Sequence, residues 1–399
     1  MSTEPTGDAP AEGETAAQPA AEPPKPRRAP ARAPQVALVT GFPAFTARRM
    51  LEKVLDADAR VRAYLLVREK FRQEADEYLA HLPAKSRRRV RPLAGDVCDI
   101  DLGLSGAEYR ELASELTTIV HCAAAYYLGV PREMALRVNV DGTRNVLELA
   151  GACARLERLC HFSTAFVSGD RKGVIMEEEL DARQRFRNAY EETKFRAELL
   201  VREAAHRLPV VVMRPGIIVG DSRTGVIDRL DGPYHLIRLI VSSPLDVALP
   251  LPGRGGAPLH LVPVDFVVDA AYALMHDPRA IGLTFHLTDP CPLAARRAYE
   301  LVAERANRKP PKGSFPEILS RAALRFPLVG ALTRVPFDFL ESINHMAFYN
   351  CQNTLSLLRP TGLFCPPFDS YVDNLVRHVR DVQKQRRQKV EQEAVDPFD

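Results

Sequence analysis

Short apolar runs recur along the chain, each followed by a segment whose apolar positions are spaced for a helix. Residues 36–40, V-A-L-V-T, are bounded by Pro34 and Gly41 and read as a buried strand. Phe45, Met50, Leu51, Val54 and Leu55 then keep helical spacing. V-R-A-Y-L-L-V-R (61–68) reads as a second strand, followed by a polar helix to about Leu82. R-V-R-P-L-A-G-D-V (89–97) is a third strand and turn, and T-T-I-V-H-C-A-A-A (117–125) is a fourth. A helix over 131–154 leads to L-C-H-F-S (159–163), a helix carrying Tyr190 follows, and V-V-V-M-R (210–214) is a sixth strand. Strands apolar on both faces and alternating with helices predict an α/β fold of the Rossmann type, a doubly wound parallel sheet covered on both sides. Ligands of such sheets bind outside the carboxyl ends of the strands.

From about residue 221 the pattern turns irregular. Residues 260–270 read as a strand running into a helix. Residues 310–350 read as amphipathic helical segments bearing Phe315, Phe326, Phe337, Phe339 and Phe348, and 369–393 as a terminal helix that grows strongly charged after Arg377. The first 34 residues hold eight Pro and no Ile, Leu, Val or Phe. Such a segment buries too little apolar surface to offset its ordering entropy. The expected organisation is a disordered tail (1–34), a nucleotide-binding domain (35–220), a smaller, mostly helical substrate-side region and cap interleaved with it (221–378), and a charged helical tail (379–399).

Composition narrows the function. A net charge of +3 over 399 residues argues against a nucleic-acid footprint. The seven Cys are scattered without a Cys-x-x-Cys, which points to free thiols in a reducing compartment, and the ten His show no metal-ligand spacing. No run of 18 or more apolar residues occurs, and the N-terminus lacks the charged-then-apolar pattern of a secretory signal, so a cytoplasmic protein without a transmembrane segment or metal is expected.

The chemistry concentrates between Phe162 and Lys194, F-S-T-A-F-V-S-G, an acidic loop, then N-A-Y-E-E-T-K. Tyr190 and Lys194 are four apart and share a helix face. A hydroxyl at a strand end, a phenol and an ammonium are the parts needed to protonate a carbonyl oxygen while hydride reaches its carbon. The ammonium is expected to lower the phenol's pKa.

In this order, with the turn T-G-F-P-A-F-T-A (40–47) upstream and R-P-G-I-I-V-G (214–220) downstream, the chain resembles the extended short-chain dehydrogenase/reductase family, and within it the thioester reductase and fatty acyl-CoA reductase group. The resemblance implies that Thr164 (with Ser163 as the alternative hydroxyl) binds the substrate oxygen, Tyr190 gives the proton, and Lys194 tunes Tyr190 and holds the cofactor ribose. Thr40, Gly41, Pro43, Ala44 and Phe45 form the cofactor turn, with Ala44 and Ala47 where the family has its second and third glycines. Asp96 and Val97 resemble its adenine contacts, Ala123, Ala124 and Ala125 its small-residue loop, and Pro215, Gly216 and Ile217 the loop beside the nicotinamide. Asn139 matches a structural Asn, and Arg214 is read as an anchor for the loop after it. Arg68, where NAD-binding members carry an acid, favours NADPH over NADH. The implied reaction is reduction of an acyl thioester, as acyl-CoA or on a carrier protein, to an aldehyde or alcohol. Dehydrogenation or epimerisation of a nucleotide sugar or sterol-like alcohol, and a non-catalytic nucleotide-binding role, stay open, as do a homodimer and a peripheral membrane contact.

Overall fold

Alternation along the first strand decides which layer each side chain joins. In β1 (Val36–Phe42), Val36 and Leu38 face one apolar cluster while Ala37 and Val39 face another. Both faces are therefore covered, as a parallel sheet requires. A computed structural model of the chain describes residues 35–126, 129–243, 251–252, 255–310, 312–315 and 345–395, and the expected tail over 1–34 lies outside them, as do Phe326, Phe337 and Phe339.

In chain order the elements are β1, α1 (Phe45–Ala57), β2 (Arg62–Val67), α2 (Arg72–His81), β3 (Val90–Ala94), α3 (Gly106–Glu115), β4 (Thr118–His121), α4 (Gly142–Ala152), β5 (Arg158–Phe162), β6 (Gly173–Ile175), α5 (Ala189–Ala204), β7 (Val210–Pro215), β8 (Ile217–Val219), α6 (Pro233–Ser242), β9 (Leu261–Pro263), α7 (Val264–His276), β10 (Thr284–Leu287), α8 (Ala295–Arg305), β11 (Ala347–Tyr349), α9 (Gln352–Leu358) and α10 (Val372–Val395). Among the described residues the central sheet has seven strands, ordered β10-β7-β5-β4-β1-β2-β3, and every pairing is parallel. One face carries α1 and α7, through Met50, Leu51, Val54, Phe266, Val267 and Leu274. The other carries α3, α4 and α5, through Leu112, Val146, Leu149 and Val201. A third cluster joins α6, α8 and α10 through Tyr234, Ile237, Tyr299, Val302, Tyr371 and Leu375.

Strand order reverses between β1 and β4, so the crevice at their carboxyl ends is the place for a ligand. Three local expectations change. The helix over 131–154 is broken: Arg132–Ala135 and α4 flank a π-helical stretch, Leu136–Asp141, in which buried Asn139 accepts from the Ala125 amide (2.7 Å) and donates to its carbonyl (3.2 Å). The described ends of 310–350 are extended rather than helical, with Ser314–Phe315 paired to Leu251–Pro252 and Phe348 within β11 paired to β6. A seventh sheet strand, β10, comes from the stretch that looked irregular. Among the described residues no helix is long and apolar enough to cross a membrane, and no group of three or more His, Cys, Asp or Glu is placed to hold a metal ion.

Candidate active site

The carboxyl ends of β1, β4, β5 and β7 surround a cavity of about 680 Å³. One wall is the start of α1, with Ala44, Phe45, Thr46 and Ala47. This helix has neither a side-chain cap nor an acidic residue in its first turn, so its amides and positive dipole end are available to an anion. Gly41 shows why the turn fits: its φ is +82°, and a Cβ there would lie 2.7 Å from the Ala123 amide nitrogen. The chain thus passes as close to β4 as a backbone can. At Ala44, φ is −58°, an ordinary conformation for any residue, so alanine costs no strain at the middle glycine position. Gly216 is a second close approach, with a Cβ at 2.6 Å from the His260 carbonyl. The uncapped α1 start and the close backbone approaches at Gly41 and Gly216 leave this side of the cavity open to an anionic ligand.

The opposite wall carries Thr164, Tyr190 and Lys194. Thr164 sits just past β5, and Asn188 caps α5 by accepting from the Glu191 amide (3.0 Å), which places Tyr190 in the first turn. The Thr164 hydroxyl accepts from the Phe166 amide (3.3 Å) and donates to the Pro215 carbonyl (3.4 Å), and it lines the cavity with the Tyr190 phenol. Tyr190 is half-buried. Its pKa is pushed up to about 12, chiefly by burial, against the lowering effect of the Thr164 hydrogen bond. The expected depression by Lys194 is not found: the Lys194 ammonium donates to the Phe162 carbonyl at 2.5 Å, and Thr164, not Lys194, opposes the effect of burial on Tyr190. Lys194 is itself buried, and burial lowers its pKa to about 8 despite the opposing charge of Glu198.

Behind this wall lies a buried polar network. Ser163, on the other side of the strand end from Thr164, donates to Glu198 at 2.6 Å. Glu198 also accepts from Arg214 (2.7 Å) and Arg202 (3.1 Å). Burial pushes the Glu198 carboxyl up, but Arg214 and then Arg202 and Ser163 overcome it and hold it below the usual range. Arg214 is fully buried, reaches the carbonyls of Glu177 (3.4 Å) and Glu179 (2.8 Å), and lies 3.2 Å from His286. It anchors β7 and the loop it feeds, as read from the sequence.

Of the residues singled out beforehand, Ala44, Phe45, Ala124, Thr164, Tyr190, Lys194, Pro215, Gly216 and Ile217 line the cavity. Thr40, Gly41, Pro43, Ala123 and Ala125 do not. Thr40 is buried, bonded to His121 Nδ1 (2.8 Å) and to the Ala123 amide (3.3 Å), and so ties β1 to β4. Ala123 and Ala125 point inward, and only Ala124 between them faces the cavity. Arg68 and Asp96 lie at the ends of β2 and β3, away from the lining, and form an ion pair at 2.8 Å. Val97 is buried against Gly142. Glu198 and Tyr126 were not anticipated. Glu198 follows Lys194 by four and Tyr190 by eight, on the same helix face, and that spacing was the available signal. Tyr126 lines the cavity just past β4 and is half-exposed.

Known proteins resemble the chain in sequence and in fold. The family model described as male sterility protein matches residues 39–271, more than half of the chain. The chain is 30% identical over 279 residues to the fatty acyl-CoA reductase wat of Drosophila melanogaster, a match covering 60% of this chain and 53% of that protein. It spans about half the length of such reductases. Among solved structures, the terminal R domain from the myxalamid PKS-NRPS biosynthetic pathway superposes with a TM-score of 0.74 at 30% identity, covering 88% of this chain and 91% of that one. The UDP-glucuronic acid 4-epimerase from Bacillus cereus in complex with NAD, at 15% identity and a TM-score of 0.63 over 87% of this chain and 99% of that one, shares the fold. The chain belongs to the male sterility protein family, in the thioester reductase and fatty acyl-CoA reductase branch of the extended short-chain dehydrogenases/reductases, a family of NAD(P)-dependent oxidoreductases.

Proposed function

We propose that the chain reduces an acyl thioester, presented on coenzyme A or on a carrier protein, with NADPH rather than NADH. The observation that carries this reading is the meeting of a hydroxyl, a phenol and a buried ammonium on one wall of a cavity whose facing wall is an uncapped helix start. The nicotinamide, when bound, supplies hydride to the carbonyl carbon. Tyr190, protonated at neutral pH, gives its proton to the carbonyl oxygen, and Thr164 is the second donor where negative charge develops. Lys194, whose buried ammonium lines the same wall, holds the cofactor ribose rather than tuning Tyr190. The resulting hemithioacetal collapses, expelling the thiol and leaving an aldehyde. Phe45, Phe162, Phe166, Ile217, Ile218 and Ile227 give the cavity apolar walls suited to an acyl chain. The cofactor choice is supported by Arg68: Asp96 holds its guanidinium at the edge of β2, and 44% of the side chain stays exposed, open to a 2′-phosphate.

The test is a substrate panel with purified protein. NADPH consumption with acyl-CoA or acyl-carrier thioesters, and a trapped aldehyde or an alcohol as product, is expected. Robust oxidation of a sterol-like alcohol or epimerisation of a nucleotide sugar, with no thioester turnover, would overturn the reading.

The pH profile carries a further expectation. Because burial lowers Lys194 to about 8, its ammonium is present below that pH and lost above it. In the free enzyme, kcat/KM for thioester reduction therefore falls as pH rises through about 8, and Lys194→Arg moves that limb upward or removes it. A wild-type profile flat to pH 10 would contradict the assigned role of the ammonium.

A further inference from the structure

The cavity beside Tyr190 adjoins a smaller one of about 220 Å³, and the two share Ile227, Asp228, Arg229, Asp231 and His235. The smaller one is completed by Arg238 from α6 and by Val382 and Arg386 from α10. Both helices are firmly seated. Leu236, Ile237 and Ile240 of α6 pack in the same cluster as Val376 and Val379 of α10, with Val382 against it. Gln383 donates to the Ser242 hydroxyl (2.9 Å) and Arg380 to the Ala306 carbonyl (2.6 Å). Arg386 follows Val382 by four and so shares its face.

The charges here do not balance. Asp228 is paired with Arg48, and Asp231 with Arg229 at 3.0 Å. Among the described residues Arg238 and Arg386 have no carboxylate partner. Two uncommitted guanidiniums in a concavity, with the nearby carboxylates already matched, form a receptor for a phosphate. The cofactor's phosphates do not need it, since the α1 start and the β2 edge are built from other residues. The pocket adjoins the cavity that Tyr190 lines, through the residues the two share.

We infer that Arg238 and Arg386 bind the phosphate of the phosphopantetheine arm that delivers the acyl thioester. Coenzyme A and carrier proteins share this group, so one receptor serves both, and the inference rests on the thioester reading above. The acyl end lies at Tyr190, and the shared residues 227–235 flank the arm between the two cavities.

Calorimetry with unreactive 4′-phosphopantetheine and pantetheine tests the receptor without any turnover. The wild-type protein is expected to bind the phosphorylated compound at least tenfold more tightly. Arg238→Gln with Arg386→Gln is expected to bring the two within about threefold, at unchanged pantetheine affinity and unchanged melting temperature. Equal binding by the wild type, or a preference that survives both substitutions, overturns the inference. Turnover of acyl-pantetheine, which lacks the phosphate, tests the thioester reading separately. With acyl-CoA and an acyl-carrier as substrates, the double variant should raise KM for both. A rise confined to acyl-CoA would assign the site to the nucleotide phosphates and overturn the arm-phosphate assignment.

Discussion

Tyr190→Phe is expected to lower kcat for reduction by roughly 10²–10⁴, the usual worth of a positioned general acid, while nicotinamide binding changes by no more than about threefold. The substitution removes one hydroxyl and keeps the ring that packs in the first turn of α5. What is lost is the proton. Thr164 stays in place, held by the Phe166 amide and the Pro215 carbonyl, so one donor still meets the carbonyl oxygen and activity does not vanish. A single-turnover rate, with a fluorescence titration of bound NADPH alongside it, separates the two effects. Tyr126→Phe is the control, because Tyr126 lines the same cavity but is half-exposed. If Tyr190→Phe keeps activity within threefold and Tyr126→Phe does not, the proton comes from Tyr126 and the assignment fails.

Six strands of the sheet were legible, most of them because a strand buried on both faces is a mainly apolar run; the edge strand β3, where Leu93 alone is fully buried, was legible with the Gly95 turn that follows it. The seventh, Thr284–Leu287, was not. Its Thr284 and His286 are polar, and they are buried only because Arg202 reaches Thr284 (3.2 Å) and Glu177 accepts from the His286 amide (2.9 Å). Those partners are far away in the chain, so no local pattern reveals them. The same holds at the site. Tyr190 and Lys194 could be read from their spacing, but a Glu in a charged helix is ordinarily solvated. Glu198 is buried by Arg214 and Ser163, which arrive from other strands. The pKa expectation failed for a related reason: four-residue spacing puts Lys194 on Tyr190's face, but the free carbonyl of Phe162 at the end of β5 takes the ammonium. The alanine loop was legible as a place but not residue by residue, since alternation sends Ala123 and Ala125 inward.

Arg214→Met is expected to destabilise the protein by about 3–5 kcal/mol, because it leaves the Glu198 carboxylate buried without its main counter-charge. The side chains are 1% and 0% exposed, so water cannot replace the lost partner. Arg202 and Ser163 still touch Glu198, but Arg202 is 28% exposed and supplies one short contact where Arg214 supplies three. The damage should spread, since Arg214 also holds the 177–179 loop, and Glu177 in turn accepts from the amides of His286, Asn353 and Thr354. For a chain of this size the melting temperature drops by about 5 °C. Removing both charges with Glu198→Leu in the Arg214→Met background should recover much of the loss, because the penalty lies in the unpaired charge rather than in the missing pair. The pH dependence has a definite sign. In the wild type the Glu198 pKa is held down, so the pair's contribution is present above the ordinary carboxylate pKa and fades in acid. Without Arg214 burial dominates and the folded pKa rises, so the variant's deficit is largest near neutral pH and shrinks as Glu198 takes up a proton. Denaturation curves at pH 5 and pH 7.5 measure this. A deficit below 1 kcal/mol, or one that grows in acid, would mean that Glu198 is not the buried charge on which the β5–β7 side of the site rests.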